Sequence, residues 1–369
     1  MVSYIETFKE NKLLMEIELK PVQGDRFQPT GFPNLGAAIY ETPEGKRNIL
    51  LESPQSMANR FEKVCLKDEG PYISDELKGL SYILAHLNVN LKDKKIFDAE
   101  TSSLVEAHRL NSPFIMKNNE FKKEFSDRTG YQKGKIIDWH KSAEAVFYYD
   151  VNSLIHGVFF SNFEDGRIKF PRILSSFIEA KNVNEAESGG VKFNSFDPKG
   201  EIVVSLPKGE KEKNVYSNVP YQRTEYSATQ IKAYFNIDIE LIKSYRLSEE
   251  ASDLLLYLSL YKITKFLETG LRLRTACVLK IDGGLQTNGV VLTEKNSSYY
   301  LEKVKELIEK CSNNGLFAGS PKEITTNAEY KEEEKNKDKK NKQNGQDSNQ
   351  QDNGDNGDNR GNSEDNADD

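Results

Sequence analysis

Histidine and cysteine are scarce in this chain, with 4 and 3 residues among 369. Metal sites usually need such residues in closely spaced pairs, and neither an HExxH nor a CxxC motif occurs. Cys65, Cys277 and Cys311 are odd in number and far apart, which argues against a disulfide framework and fits a reducing compartment. We therefore expect no metal site and no cofactor.

Long apolar segments and the familiar catalytic motifs are also absent. No run of about 18 apolar residues occurs, and residues 1–12 lack the basic start and apolar core of a signal peptide. The sequence contains no GxSxG, Walker or GxGxxG motif, so a hydrolase, a nucleotidase or a dinucleotide-binding enzyme has no motif in its favour. We expect a soluble, cytoplasmic protein that does not bind a membrane.

Acidic charge is concentrated at the end of the chain. The formal net charge is −7, and residues 331–369 carry −5 of it, with 7 basic and 12 acidic residues. The rest of the chain is close to neutral, so local patches of charge matter more than the sum. The composition after residue 322 favours a disordered acidic tail at 323–369 behind one folded domain at 1–322.

Alternation of apolar and polar residues predicts several strands. Leu13–Leu19 has the two-residue period of a half-buried strand, and residues 36–52 have the pattern of a hairpin. The segments at 145–150 and 154–160 are rich in residues that favour strands. Leu271–Ile281 predicts a strand with arginine and lysine along one face, and Ser188–Gly190 predicts a sharp turn.

Apolar residues spaced three and four apart predict five helices. They begin at Pro54 after Ser53 as N-cap, and lie at Asp75–Asn90, Ser102–Leu110, Ser248–Glu268 and Ser298–Cys311. The fourth is the longest. Leucines occur nearly all round it, so we expect it to be buried on more than one side.

The segment from Pro21 to Gly36 predicts a functional loop. Its prolines and glycines cannot extend a sheet but can hold an irregular backbone beside Arg26, Phe27 and Phe32. Arginine can bind phosphate and stack on bases, and several arginines lie near aromatic, Pro or Gly residues or on a predicted open sheet face. These arginines are Arg26, Arg60, Arg109, Arg167, Arg172, Arg223, Arg272 and Arg274. We interpret the combination as a site for single-stranded RNA, although the late-strand arginines could equally be the solvated side of a sheet.

Several long blocks of the sequence resemble a known family. They are QGDRFQPTGFPNLGAAIYE, LLESPQSMANRFE, EAHRLNSP, NSLIHGVFF, PRILSSFIEAKNV to SGGVKF, NVPYQRTEYSATQIKAYFNIDIELIKSY and FLETGLRLRTAC. These blocks resemble the signature blocks of the RAMP-superfamily backbone subunit, the Cas-seven group, of type I-G (formerly I-U) CRISPR Cascade complexes. The resemblance runs from Leu13 to Leu279 and excludes the acidic tail.

The resemblance implies an α+β fold with an RRM-like (ferredoxin-like) palm. Its antiparallel sheet would carry helices on one face, with long insertions and a thumb-like hairpin that we place at residues 192–226. The implied function is noncatalytic. The subunit would bind CRISPR RNA, stack along it with other copies of itself and with other Cascade subunits, and present the guide to a target DNA strand in antiviral defence.

Carried onto these blocks, the resemblance implies RNA contacts from the predicted loop, from the helix after Pro54 and from further cationic residues. The implied RNA-binding residues are Arg26, Phe27, Gln28, Thr30, Phe32, Asn59, Arg60, Arg109, His156, Arg172, Arg223, Arg272 and Arg274. We expect them to clamp phosphates, stack on bases and recognise shape without reading the guide sequence.

Two other functions remain open from the sequence. A metal-dependent ribonuclease acting on guide or target RNA could use Asp25 in the predicted loop or His156, which a flexible glycine follows; an ion pair between Asp25 and Arg26 is the simpler interpretation of the former. A protein–protein adaptor could instead act through the acidic tail.

Overall fold

The computed structural model describes residues 4–32, 36–91, 94–199, 218–269, 271–288 and 296–330. The chain divides into two units, Met1–Glu329 and Tyr330–Asp369, and only Tyr330 of the second unit is described. Each described helix and strand belongs to the first unit. The predicted acidic tail beyond Tyr330 lies outside the described residues.

The described residues form 17 strands. They are β1 (Lys12–Pro21), β2 (Gly31–Phe32), β3 (Gly36–Ala37), β4 (Ile39–Glu41), β5 (Arg47–Glu52), β6 (Ile83–Leu91), β7 (Lys94–Ser102), β8 (Val158–Phe159), β9 (Lys169–Phe170), β10 (Leu174–Lys181), β11 (Asn184–Lys192), β12 (Val219–Ser227), β13 (Gln230–Asp238), β14 (Leu271–Arg274), β15 (Cys277–Ile281), β16 (Gln286–Thr287) and β17 (Lys322–Glu329).

The described residues also form eight α-helices. They are α1 (Pro54–Lys63), α2 (Pro113–Met116), α3 (Asn119–Thr129), α4 (Trp139–Tyr149), α5 (Val151–His156), α6 (Ile239–Ser244), α7 (Glu249–Glu268) and α8 (Ser297–Asn313). Short 3₁₀ turns occur at Ile5–Thr7, Asp75–Leu77 and Arg109–Asn111. Within the described part of the chain, every helix is too short or too polar to cross a lipid bilayer.

The largest sheet has eight strands in the order β14-β15-β1-β13-β10-β5-β4, with β16 paired to β1. Neighbouring strands in it are antiparallel. Along the chain its central part reads β1-α1-β10-β13-α7-β15, and the strands lie in the order β15-β1-β13-β10. This is the β-α-β-β-α-β arrangement of ferredoxin-like folds. The predicted α+β class with an antiparallel, RRM-like sheet is therefore confirmed.

Helices α1 and α7 cover one face of this sheet. The apolar side chains of Leu13–Leu19 in β1 that alternate toward this face are at most 4% exposed, as the sequence pattern predicts. The ring of Phe61 in α1 contacts both Phe235 of β13 and Phe266 of α7, with ring centroids 6.3 and 5.7 Å apart. The hydrophobic core therefore lies between the sheet and these two helices.

Long insertions separate the elements of the central sheet. Between α1 and β10 the chain forms β6 and β7, which join the later β17 in a three-stranded sheet, and helices α2 to α5. Between β10 and β13 it forms a two-stranded antiparallel ribbon, β11 and β12, here called the ribbon. The ribbon overlaps the predicted thumb at 192–226. Residues 200–217, between its two strands, lie outside the described residues.

Helix ends predicted from N-cap residues are confirmed. The Ser53 hydroxyl accepts a hydrogen bond from Ser56 N at 3.2 Å at the start of α1, and the Ser248 hydroxyl accepts one from Ala251 N at 3.3 Å at the start of α7. These bonds satisfy backbone donors that a helix leaves free at its first turn. Helix α7 is buried on several sides, as its leucines predict.

Two predicted helices are wrong. The segments Asp75–Asn90 and Ser102–Leu110 form a short 3₁₀ turn, strand β6, the end of β7 and a turn region instead. In β6, Leu87 and Val89 are buried while His86, Asn88 and Asn90, which alternate with them, are half-exposed. The two-residue period therefore prevails over the leucine spacing that suggested a helix.

Of the two predicted strand segments, 145–150 is helical up to residue 149, whereas 154–160 begins at the end of α5 and continues into the short strand β8. Their helical residues lie in α4 and α5, and Asp150 separates the two helices. The side chains of Asp138 and Asp150 cap these helices by accepting hydrogen bonds from Lys141 N and Asn152 N, both at 3.0 Å. Capping and burial outweigh the strand preference of the aromatic and β-branched residues.

Three further boundaries differ from the sequence prediction. The predicted strand Leu271–Ile281 is a hairpin of β14 and β15. The first residues of the segment predicted as a tail from residue 323 are ordered, because Lys322–Glu329 forms β17 and pairs in parallel with β6. The predicted turn at Ser188–Gly190 lies inside β11, where its backbone pairs with β12.

Candidate nucleic-acid interface

The loop after β1 is held by backbone hydrogen bonds on both sides. Phe27 N donates to Tyr226 O at 2.8 Å, and Tyr226 N donates to Phe27 O at 2.9 Å, which makes an antiparallel bridge to the ribbon. On the other side Gln28 N donates to Ala276 O at 2.8 Å. The loop therefore lies between the base of the ribbon and the β14–β15 hairpin, with the fixed and irregular backbone that its composition predicts.

Side chains of this loop divide between the core and the surface. Phe27 is only 1% exposed, so its predicted role in base stacking is wrong: the bridge to Tyr226 turns its ring into the core. The Arg26 side chain is 56% exposed, and Gln28 and Thr30 line a pocket with partly exposed side chains. The side chain of Phe32 lies outside the described residues, so its role stays a prediction.

Two arginines meet a buried carboxylate at the base of the ribbon. Glu225 is 5% exposed, and its Oε1 accepts a hydrogen bond from Arg223 Nε at 2.9 Å and lies 2.5 Å from Arg223 Nη2. Its Oε2 lies 3.6 Å from Arg26 Nη1. Arg26 and Arg223 therefore present two guanidinium groups over one buried carboxylate, next to the exposed side chain of Asp25.

A second buried carboxylate holds another two arginines. Oε1 of Glu52, a residue 1% exposed, accepts hydrogen bonds from Arg60 Nη2 at 2.8 Å and Arg274 Nη2 at 2.5 Å. Arg274 also donates to Gln28 O at 3.0 Å, and Arg60 donates to Leu273 O at 2.8 Å. These bonds join α1, β5, β14 and the loop, while each arginine side chain remains 21–26% exposed.

Arg109 and His156 lie too deep to contact RNA, so their predicted binding roles are wrong. Arg109 is 8% exposed; its Nε donates to Glu62 Oε1 at 2.6 Å and its Nη1 to Gly157 O at 3.0 Å. His156 is 1% exposed, and its Nε2 lies 2.7 Å from Lys262 Nζ. Burial holds the pKa of His156 well below 6.5, and the nearby cations lower that pKa further. The His156 imidazole is therefore neutral, and its Nε2 accepts a hydrogen bond from Lys262 Nζ.

A buried polar cluster explains why His156 is structural. Lys262 is 0% exposed in α7, and its Nζ also donates to Asn152 Oδ1. Burial lowers the pKa of Lys262 and raises the pKa of the neighbouring Cys65 thiol. The cluster ties α5 to α7 inside the core.

Three other predicted residues remain at the surface. Asn59 is exposed on α1, and its Oδ1 accepts a hydrogen bond from Gln55 Nε2 at 3.0 Å. Arg172 is partly exposed and donates from Nη2 to Gln55 Oε1, so Gln55 brings Asn59 and Arg172 together. Arg272 is exposed on β14, in the hairpin next to the loop.

Two pockets flank the bridge between Phe27 and Tyr226. A pocket of about 550 Å³ lies between the loop and the base of the ribbon, with Arg274 as the charged residue of its lining. A pocket of about 500 Å³ on the other side is lined by Asp25, Arg26 and Glu225 together with residues of the hairpin. Among the residues described, Arg274 is thus the one charged residue lining the first pocket, whereas the charge of Arg26 in the second pocket is accompanied by two carboxylates.

Large, exposed apolar side chains that the sequence does not single out lie on the ribbon and in the segment directly after its first strand. Phe193 is 74% exposed, Phe196 81% and Tyr221 54%. Exposed aromatic side chains can stack on bases in a sequence-independent way. Their position in or next to a strand pair outside the core is the signal that could have identified them.

Glu52 and Glu225 are the functional candidates that the sequence does not reveal. Each stands among many acidic residues, 58 in the whole chain, which makes any single one inconspicuous. The only local signal is position: Glu52 ends the apolar run ILLE, and Glu225 lies two residues from Arg223 in the same strand. Their other arginine partners, Arg60 and Arg274 for Glu52 and Arg26 for Glu225, lie on other elements or in the loop after β1.

The fold and this surface define an α+β protein with a ferredoxin-like sheet, a protruding ribbon and arginine pairs around the loop after the first strand. Residues 13–185, somewhat less than half of the chain, match the model of a family described as CRISPR-associated protein GSU0053. The match contains β1, the loop after it, α1 and β10.

Two solved structures are similar to this chain. A chain described as belonging to a CRISPR RNA-guided surveillance complex, pre-nicking, is 8% identical with a TM-score of 0.38; the alignment covers 82% of this chain and 87% of that chain. The crystal structure of Thermofilum pendens Csc2 is 10% identical with a TM-score of 0.29, and the alignment covers 85% and 82%. No curated protein sequence matches this chain.

Proposed function

We propose that this chain is a noncatalytic backbone subunit of the RAMP superfamily in a type I-G Cascade effector complex of the cytoplasm. Copies of it bind along a CRISPR RNA, together with other Cascade subunits, and present the guide for pairing with a target DNA strand. The observation that carries this proposal is the match of residues 13–185 to a CRISPR-associated family, because the matched residues include the loop after β1 and helix α1.

The proposed RNA path crosses the loop after β1 and the β14–β15 hairpin. Arg26 and Arg272 are the most exposed of the predicted arginines there, and Arg274 and Arg60 add partly exposed guanidinium groups. A guanidinium group binds two phosphate oxygens in a fixed geometry and needs no particular base. This arrangement suits a subunit that must hold any guide sequence.

The ribbon supplies the stacking surface that Phe27 cannot supply. Tyr221 lies on the ribbon, and Phe193 and Phe196 directly follow its first strand; each has most or about half of its surface exposed. An aromatic side chain that stacks on a base, or displaces one, acts on every nucleotide sequence alike. We therefore assign the ribbon the role of the thumb.

Replacing Arg26 and Arg272 by alanine together tests this interface. Both side chains are exposed, and each is proposed to bind a phosphate. We expect the affinity for a single-stranded RNA to fall about 10- to 100-fold, and the slope of log Kd against log salt to become shallower by about 1 to 1.5. Fluorescence anisotropy with labelled RNA over a series of salt concentrations measures both quantities.

The matched control is Lys303→Ala with Lys310→Ala. It removes the same charge from exposed positions on α8, where both lysines pair with Glu306. We expect it to change the affinity by less than the arginine pair does. Equal affinities and salt slopes for the wild-type chain and the arginine variant would contradict the proposed interface. RNA cleavage in magnesium or manganese that Asp25→Asn abolishes would favour the ribonuclease instead.

A further inference from the structure

Glu225 joins two arginines that belong to different segments of the chain. Arg223 lies two residues earlier on the same strand, whereas Arg26 lies in the loop after β1. The bridge between Phe27 and Tyr226 places the neighbours of these residues side by side, so the Glu225 carboxylate reaches both guanidinium groups. Each carboxylate oxygen contacts one arginine: Oε1 contacts Arg223 and Oε2 contacts Arg26.

Burial of Glu225 decides which charge faces the solvent. The Glu225 side chain is 6% exposed, against 33% for Arg223 and 56% for Arg26. The two guanidinium groups, rather than the Glu225 carboxylate, are therefore the parts of this cluster that a ligand can reach. Without the carboxylate, the two guanidinium groups would repel each other. Arg26 would move rather than Arg223, because its side chain is the more exposed and its Nη1 lies 3.6 Å from Glu225 Oε2.

We infer that Glu225 is a positioning residue of the RNA site, which fixes Arg26 and Arg223 side by side so that both contact the phosphates of a single-stranded nucleic acid. This inference rests on the proposed function. The buried, negatively charged Glu225 would thus favour the binding of RNA, although RNA is itself negatively charged. The effect arises from preorganisation, because a guanidinium group that is already oriented loses less entropy when it binds phosphate.

The variant Glu225→Gln separates positioning from simple charge. It makes the site more positive, so charge alone predicts tighter RNA binding and a steeper salt dependence. Positioning predicts the opposite: we expect the affinity for single-stranded RNA to fall about tenfold and the salt slope to become shallower by about 0.7, because one phosphate contact is lost. Glu225→Asp keeps the charge but withdraws the carboxylate, and we expect an intermediate loss of affinity with it.

Glu187→Gln is the matched control, because Glu187 lies on the same ribbon, is exposed and bonds to Gln222 and Thr224. We expect this variant to bind RNA as tightly as the wild-type chain or slightly more tightly. Tighter binding by Glu225→Gln, or unchanged binding by a folded Glu225→Asp, would overturn the positioning role alone. Absence of RNA binding by the wild-type chain would contradict the proposed function itself. Thermal melting of each variant reports whether it is folded, and Glu225→Asp alone decides the matter if Glu225→Gln does not fold.

Discussion

Buried ionisable residues in this protein are held in two ways. Glu52 and Glu225 are paired with arginines, and the pairs remain partly open to solvent. Asp150 and Lys262 are instead bound to neutral groups: Ser153 Oγ donates to Asp150 at 2.7 Å, and Lys262 donates to His156 and Asn152. Burial therefore disfavours the charged forms of Asp150 and Lys262, and it shifts their pKa values in opposite directions.

Asp150 makes the stability of the protein depend on pH. Burial raises its pKa from 3.8 to about 6, so the folded chain holds the proton more tightly than the unfolded chain. Its stabilising contribution is therefore complete below about pH 3.8 and is lost as the pH rises through about 6. The shift corresponds to about 3 kcal/mol.

The variant Asp150→Asn removes this titration but keeps a residue that can cap α5. We expect the free energy of unfolding of the wild-type chain, relative to that of the variant, to decrease by about 2 kcal/mol from pH 4 to pH 7. Urea denaturation at several pH values measures the difference, and other carboxylates cancel because both chains contain them. A difference that does not change with pH would contradict a raised pKa for Asp150.

The sequence predicts most of the arginines near the candidate interface, but it does not predict their hydrogen-bond partners within the protein. Arg274 bonds to Glu52 across 222 positions of the chain, and Arg60 bonds to Leu273 O across 213. Such partners depend on how strands assemble, which no local pattern specifies. The same limit explains why Phe27, Arg109 and His156 were expected at the surface: their burial is a property of the tertiary fold.

At the scale of elements, polar signals at helix ends were more reliable than the composition of the segments. Ser53 and Ser248 correctly predicted the starts of α1 and α7. The aromatic and β-branched segments in α4 and α5 predicted strands, because their caps Asp138 and Asp150 were not recognised. Segments of fewer than about 12 residues fit both a helical and a strand period, so packing decides between the two.

Ribbon geometry depends on Gly189. A Cβ at this position would lie 2.8 Å from the backbone oxygen of Tyr221, which cannot move without a shift of β12. We expect Gly189→Ala to weaken the pairing of β11 with β12 by about 1–2 kcal/mol. Hydrogen exchange of the ribbon amides should then be about tenfold faster, while the melting temperature of the core stays close to that of the wild-type chain.

Gly284→Ala is the matched control for this change. Gly284 has open space where a Cβ would lie, so the same added methyl group meets no neighbouring atom. We expect its ribbon amides to exchange at the wild-type rate. Equal exchange in both variants would contradict the close approach of the two ribbon strands, and a large fall in melting temperature for Gly189→Ala would place the glycine in the core rather than in a separable ribbon.

At the scale of the whole molecule, the order β-α-β-β-α-β is the frame on which all insertions are placed. The antiparallel, RRM-like class was predictable because several sequence blocks in order resemble one family. The three-stranded sheet and the end of the folded unit were not, since β17 returns across more than 200 residues to pair with β6. Parallel pairing of that kind leaves no turn signal between the strands.

The mass and RNA content of the purified complex test the central claim most directly. The chain is produced with guide RNAs of two lengths, and the particles are measured by native mass spectrometry and absorbance at 260 and 280 nm. Because each subunit is proposed to cover a fixed length of RNA, we expect more copies on the longer guide, and the same result for a chain truncated after Glu329. A single, RNA-free chain in every preparation would contradict the account.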